Sequence, residues 1–108
     1  MGSNNYKVNI TDEASADLDE IFKYIAVELS NGDASQGLLD DIVNGVENIA
    51  TFPYAMPNLN SADFHELRRL DIKNFVIIYS VDEDKHDIYF LAILYAKSDI
   101  VARLLRRI

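Results

Sequence analysis

The feature that most constrains the fold of this chain is a change in hydrophobic periodicity near residue 66. Before that point, apolar residues recur every three or four positions, which is the spacing of one face of an α-helix. After it, apolar residues stand in short runs rich in β-branched and aromatic side chains, which is typical of strands. A block of helices followed by a block of strands predicts an α+β fold.

The N-terminal part of the chain predicts one strand and one amphipathic helix. Tyr6 to Ile10 alternates apolar and polar residues, which indicates a half-buried strand. Thr11 can accept a hydrogen bond at the start of a helix of about five turns. We place Asp17 on the solvent-facing side of this helix, among other charged residues. The apolar stripe that faces the core comprises Leu18, Ile21, Phe22, Ile25 and Leu29.

A second amphipathic helix follows a polar turn that contains Gly32. It begins at Asp33 or Ser35. It ends at Phe52, because the residue before Pro53 is disfavoured in the helical conformation. Two amphipathic helices joined by a short turn form an antiparallel hairpin, since each apolar stripe needs a partner.

Three strands and a short helix complete the chain. The strands are Glu66–Ile72, Phe75–Val81 and His86–Tyr95, and a polar turn joins the last two into an antiparallel hairpin. Ser98 and Asp99 begin the final helix. We therefore expect the helical hairpin to pack on one face of an antiparallel four-stranded sheet, with the other face available.

Composition limits the kind of protein. A length of 108 residues predicts one domain that spans residues 1–108. The absence of cysteine excludes disulfides, a thiolate nucleophile and a cysteine-ligated metal, and it fits a reducing cytoplasm. The acidic residues lack the spacing of a calcium loop, so we expect no metal. The sequence also has no glycine-rich loop that could hold a phosphate, and we expect no cofactor. No apolar run approaches the length of a membrane span.

The net charge of −8 disfavours binding to nucleic acids by bulk attraction. The charge is unevenly distributed, however. Residues 1–64 carry two lysines against eleven acidic residues, whereas residues 65–108 carry eight basic against seven acidic residues. Any anion-binding surface is therefore expected in the second half, at Arg68, Arg69, Lys73, Lys97, Arg103, Arg106 and Arg107. The alternative is that these are ordinary solvated arginines and lysines.

Several local sequences, in their order and spacing, resemble the RelE/ParE superfamily of toxins from type II toxin–antitoxin systems, the plasmid stabilisation family. The opening Tyr6–Thr11 is similar to the first strand of that family. Ile49–Pro57 resembles its helix exit, and Leu67–Leu70 with Asn74–Glu83 its central hairpin. Ile93–Asp99 resembles the last strand, where many members read histidine-glycine-arginine-arginine-aspartate. The resemblance covers nearly the whole chain.

The resemblance implies a growth inhibitor that is neutralised by a cognate antitoxin protein. RelE-like members cut messenger RNA on the ribosome, whereas ParE-like members poison DNA gyrase and need no hydrolytic site. Where RelE-like members usually carry an arginine in the central hairpin, this chain has Val76, which cannot neutralise a phosphate. Together with the acidic composition, this favours the ParE-like interpretation. The alternatives are a ribosome-dependent endoribonuclease and a degenerate, non-toxic protein-binding module.

The candidate catalytic residues of an endoribonuclease are Arg68 or Arg69, together with Tyr95 and Lys97. Arg68 and Arg69 are consecutive in a strand, so they face opposite sides of the sheet. Tyr95 and Lys97 end the last strand, where the family keeps functional groups. His65 is a weaker candidate for a general base, because its ordinary pKa lies near neutrality.

Other polar and aromatic residues are predicted to have structural or solvent roles. Tyr79 and Tyr89 can stack on bases, but packing in the sheet is the favoured interpretation. His86 and the acidic turn at residues 82–84 are interpreted as solvated surface. The apolar side of the C-terminal helix either docks on the protein's own sheet or shares a groove with a segment of the antitoxin that folds as it binds.

Overall fold

The computed structural model describes residues 6–28, 32–59, 62–64 and 66–107, so Leu29 and His65 lie outside the described residues. Within this part of the chain no helix is both long and apolar enough to cross a membrane. The elements are β1 (Lys7–Ile10), α1 (Asp12–Lys23), a π-helical segment (Tyr24–Glu28), α2 (Gly32–Thr51), β2 (Arg68–Ile72), β3 (Phe75–Asp82), β4 (Asp87–Tyr95) and α3 (Ile100–Leu105).

The four strands form one mixed sheet in the order β1-β4-β3-β2. β2, β3 and β4 are antiparallel neighbours, as the sequence predicts. The expectation that the whole sheet is antiparallel is wrong for one pair, because β1 runs parallel to β4. A tight turn imposes the antiparallel direction only on strands that it joins, whereas β1 pairs with the last strand after two helices and two other strands.

One face of the sheet packs against the helical hairpin and forms the larger core. Ala14 and Ile21 of α1 and Leu38, Ile42 and Ile49 of α2 are buried there. The sheet contributes alternate residues of its strands to this core, namely Ile72, Phe75, Ile77, Tyr79, Ile88, Phe90 and Ile93. Burial of these apolar side chains is the main force that holds the hairpin to the sheet.

The other face of the sheet carries a second, smaller core, so it is not left available as expected. Val76, Ile78, Ala92 and Leu94 lie on this face and are buried. They are covered by α3 and by the segment before β2, through Ile100, Leu104, Leu59 and Leu67. The C-terminal helix therefore docks on the protein's own sheet, which was the first of the two alternatives for its apolar side.

Two glycines of α2 differ sharply in their surroundings and provide a test of the packing. A Cβ atom at Gly37 would meet no other atom within 4 Å, whereas one at Gly45 would lie 2.8 Å from Leu70 Cδ2 and 2.9 Å from Ile72 Cδ1. Gly37→Ala should raise the free energy of unfolding by about 0.5–1 kcal/mol, because alanine favours the helix. Gly45→Val should lower it by roughly 1–3 kcal/mol through overpacking. Chemical denaturation of both variants measures the difference, and the reverse order would contradict the packing of α2 on β2.

Candidate functional site

The two arginines of β2 lie on opposite faces of the sheet, as predicted. Arg68 pairs with Tyr79 and Arg69 with Ile78, and residues paired across antiparallel strands share a face. Tyr79 belongs to the core under the helical hairpin, and Ile78 to the core under α3. The two guanidinium groups therefore cannot act on one phosphate.

The guanidinium of Arg68, which is partly buried, is engaged by the backbone of the protein itself. Its Nη1 donates hydrogen bonds to the carbonyl oxygens of Met56 at 2.6 Å and of Tyr54 at 3.3 Å. Its guanidinium carbon lies 5.0 Å from the centre of the Tyr54 ring, which is a cation–π contact. These contacts tie the loop after α2 to β2, and they give Arg68 a structural role.

Arg69 is paired with a carboxylate of its own strand. Its Nη2 lies 2.8 Å from Asp71 Oδ1, and the two side chains are 28% and 62% exposed. A pair as exposed as this contributes little to stability. An external carboxylate or phosphate can therefore compete with Asp71 for this guanidinium.

Tyr95 and Lys97 lie at the end of β4, away from both arginines. Tyr95 is 44% exposed and its ring packs against Phe75, with ring centroids 4.8 Å apart. Tyr95 pairs with Phe75, four residues along β3 from the partner of Arg68, which is a separation of about 13 Å along the strand. Lys97 is exposed in the turn that follows.

The residue at the position of the expected arginine, Val76, is fully buried beneath α3. Even an arginine placed there would meet an apolar layer rather than solvent. The candidate residues that the structure describes are thus divided between two faces and two ends of the sheet. No arrangement of an acid, a base and a phosphate-binding cation is brought together among them.

A cluster that sequence reasoning missed lies at the end of the sheet near the β3–β4 turn. Glu83 Oε1 accepts hydrogen bonds from the hydroxyls of Tyr6 and Tyr54, both at 2.7 Å. The ring of His86 stacks on Tyr6 at a centroid distance of 3.6 Å. The guanidinium of Arg68 lies over the ring of Tyr54. We call these five residues the tyrosine–carboxylate cluster; Glu83 and His86 are exposed, but they are not merely solvated.

The hydrogen bonds of this cluster shift the ionisation of its members. The hydroxyls of Tyr54 and Tyr6 stabilise the charged carboxylate and hold the pKa of Glu83 below its usual value. The same hydrogen bond, to an anion, raises the pKa of Tyr54 to about 12. Burial raises the pKa of Tyr79 to about 12, and its hydroxyl donates to the Pro53 carbonyl at 2.6 Å. Tyr79 is therefore a packing residue, as the favoured interpretation had it.

A second polar arrangement, the edge clasp of Asp17 and Arg107, lies where β1 ends. Asp17 Oδ2 accepts from the backbone N–H of Ile93 at 2.9 Å, and Asp17 Oδ1 lies 2.7 Å from Arg107 Nη2. Arg107 also donates to the carbonyl oxygen of Leu91 at 3.2 Å. The prediction that Asp17 faces solvent is wrong, since its side chain is only 15% exposed. Its position on the same side of α1 as Ala14 and Ile21 was the available signal.

Comparison with protein families identifies the chain. Residues 8–100 match the family model described as the ParE toxin of the type II toxin–antitoxin system, parDE. The chain belongs to the ParE toxin family. It is therefore a toxin of the RelE/ParE superfamily, as the resemblance implied. A search of curated proteins gave no match.

Solved structures of this superfamily share the fold. A chain from the chromosomal ParDE toxin–antitoxin system of P. aeruginosa superposes with a TM-score of 0.70 at 23% identity, covering 88% of this chain and 100% of that one. The RelBE2 toxin–antitoxin complex of Mycobacterium tuberculosis gives 0.63 at 14% identity, with 84% and 98% covered. A mutant E. coli toxin RelE in the free state gives 0.64 at 11% identity, with 96% and 98% covered. These likenesses establish the fold.

The lowered pKa of Glu83 predicts a pH-dependent contribution to stability. A carboxyl whose folded-state pKa is depressed stabilises the fold above its ordinary pKa, and this contribution is lost as the pH falls through the folded-state value. Glu83→Gln should therefore lower the Tm at neutral pH. The difference in Tm between this variant and the wild type should become smaller in acid. Thermal unfolding between about pH 2 and 7 tests this, with Glu66→Gln as the control. A difference in Tm that stays constant with pH would show that the ionised Glu83 does not stabilise the fold through these hydrogen bonds.

The edge clasp is tested by a double-mutant cycle. Asp17→Ala should cost roughly 2–3 kcal/mol and Arg107→Ala less, because only loss of Asp17 also leaves the Ile93 N–H without its acceptor. We expect the two substitutions to couple by at least about 1 kcal/mol. Glu13 is the matched control, because its carboxylate is 62% exposed and 3.8 Å from Arg107 Nε. Equal coupling of Glu13 and Asp17 to Arg107 in urea denaturation would contradict the clasp.

Proposed function

We propose that this chain is a ParE-like toxin that acts by binding DNA gyrase rather than by cleaving RNA, and that a cognate antitoxin holds it inactive in the cytoplasm. The observation that carries the proposal is the separation of the candidate catalytic groups. Arg68 is bound to backbone carbonyls, Arg69 lies on the other face, and Tyr95 lies about 13 Å farther along the sheet. Hydrolysis of RNA needs such groups within hydrogen-bond reach of one phosphate.

The electrostatics support the same proposal. The groove beside Tyr95 is lined by Asp17, which pairs with Arg107, and by the exposed carboxylate of Glu20, which repels a phosphate backbone. The chain as a whole carries a charge of −8, so long-range attraction to ribosomal RNA is unfavourable. An inhibitor that binds a protein surface does not need that attraction. Membership of the ParE toxin family favours gyrase as that surface.

Of the sequence-derived candidates, we propose that Arg69 and Lys97 contact the target. Lys97 is exposed and the side chain of Arg69 is 28% exposed, and both belong to the half of the chain that holds most of the basic residues. Within the part of the chain that the structure describes, the guanidinium of Arg69 pairs with the exposed Asp71, and an acidic group of a target protein can replace this aspartate. Arg68 is proposed to stabilise the fold instead.

Induction of the chain in bacteria, with and without the neighbouring small gene, tests the function. Growth arrest with DNA-damage signalling, relieved by the neighbouring gene, would support gyrase poisoning. Arrest with codon-periodic cuts in messenger RNA would instead identify an endoribonuclease. Normal growth, with a stable complex of the two gene products, would identify a non-toxic binding module.

The purified chain provides a sharper measurement of the target. It should inhibit supercoiling by gyrase, and Arg69→Ala and Lys97→Ala should each weaken inhibition about tenfold while leaving the Tm unchanged, since one charge-assisted contact is lost. Arg68→Ala should mainly lower the Tm, because it frees two backbone carbonyls and a tyrosine ring. Full inhibition by both the Arg69 and Lys97 variants would remove these residues from the target surface.

A further inference from the structure

A groove between α1 and the end of β4 has a composition that the proposed function does not use. It has a volume of about 300 Å³ and is lined by Asp17, Glu20, Ile21, Tyr24 and Tyr95. Two aromatic rings, two carboxylates and one aliphatic side chain thus face a space large enough for one long side chain. We propose that this groove binds an arginine side chain of the antitoxin.

The two tyrosines provide the walls. Tyr24 is 47% exposed and Tyr95 is 44% exposed, so each presents part of its ring to the groove. Tyr24 begins the π-helical segment, and its backbone N–H is shared between the carbonyl oxygens of Glu20 and Ile21. Such widened helical turns occur frequently at functional sites. A planar guanidinium stacks on tyrosine faces better than an ammonium does.

The carboxylates provide the charge, and their roles differ. Asp17 is already engaged by Arg107 and by the Ile93 N–H, so its charge is largely compensated. Glu20 is exposed, and among the described residues no ion pair within 4.0 Å engages its carboxylate. Glu20 is therefore the group that can form a charge-assisted hydrogen bond with an incoming cation. The other acidic residues of α1 also attract a cation to the groove, because Lys23 is the one basic residue of this helix.

The neighbouring backbone indicates that the cation belongs to a polypeptide. The Ala96 N–H donates to the Asn74 carbonyl across the sheet, so the alternation of a strand turns the N–H groups of Ile93 and Tyr95 outward. β1 ends opposite Phe90, so no strand of the described chain lies beside this stretch. An extended partner segment that enters here can use the Tyr95 N–H while its arginine fills the groove.

The choice of the antitoxin as the occupant rests on the proposed function, because that function supplies a partner protein. Charge complementarity favours it, since the helical hairpin is strongly acidic and the partner must present basic side chains to it. The expected antitoxin segment is therefore basic where it meets α1. A gyrase surface or a free cationic metabolite would be a different occupant, and the experiments below separate these cases.

The groove itself is tested with a probe that needs no antitoxin. A blocked tripeptide Ala-Arg-Ala should produce saturable shifts of the Tyr24 and Tyr95 ring resonances, with a Kd on the order of millimolar. The same tripeptide with citrulline in place of arginine should produce no such shifts, because the end group of citrulline is planar but uncharged. Glu20→Gln should weaken binding at least about fivefold, whereas Asp19→Asn, the adjacent exposed acid outside the groove, should not. Equal shifts with citrulline, or no saturable shift, would overturn the proposal.

The occupant is tested with the purified complex of the toxin and the product of the neighbouring gene. Glu20→Gln and Tyr24→Leu should each weaken the complex about tenfold, and the loss should shrink as salt screens the Glu20 charge. Unchanged affinity in both variants would overturn the antitoxin as the occupant, even where the tripeptide binds. Failure of the wild-type chain to bind the product of the neighbouring gene at all would count against the proposed function instead. The tripeptide experiment would then still show whether the groove binds an arginine side chain.

Discussion

The fold depends on how the outer edge of β4 is satisfied after β1 ends. β1 pairs with β4 only as far as Phe90, yet β4 continues to Tyr95. Unpaired backbone N–H and C=O groups at a strand edge cost free energy where they are shielded from water. Where they are exposed, they can pair with a strand of another molecule. Asp17 accepts the Ile93 N–H, and Arg107 donates to the Leu91 carbonyl while pairing with Asp17. One carboxylate and one guanidinium thus join the first helix, the last strand and the C-terminal residues.

The tyrosine–carboxylate cluster joins segments that are distant in sequence at the opposite end of the sheet. Tyr6 precedes β1, Tyr54 follows α2, and Glu83 lies in the β3–β4 turn, so three segments distant in sequence meet at one carboxylate. Arg68 fixes the same loop from β2 through the carbonyls of Tyr54 and Met56. The interior contains no buried charged residue among those described, and the polar contacts that order the fold lie around its margins.

These contacts at the margins of the sheet also explain why the residues of the candidate catalytic set lie apart. Of the candidate catalytic residues, Arg68 has a structural role because it binds backbone carbonyls. Arg69 and Tyr95 are far apart on the sheet. The charges are unevenly distributed along the chain, since α1 and α2 carry mainly acidic residues whereas most of the basic residues lie between residues 65 and 108.

The sequence by itself determined the elements and the family. Hydrophobic periodicity depends on local spacing, so the two helices, the three consecutive strands and the C-terminal helix were predictable within a few residues, as were the opposite faces of Arg68 and Arg69. Only the tertiary structure decided that β1 joins β4 in parallel, that α3 closes the second face, and that Asp17 pairs with Arg107. It alone brought Tyr6, Tyr54 and Glu83 together. These outcomes depend on contacts between residues up to 90 positions apart, as for Asp17 and Arg107, and no local pattern encodes such pairing.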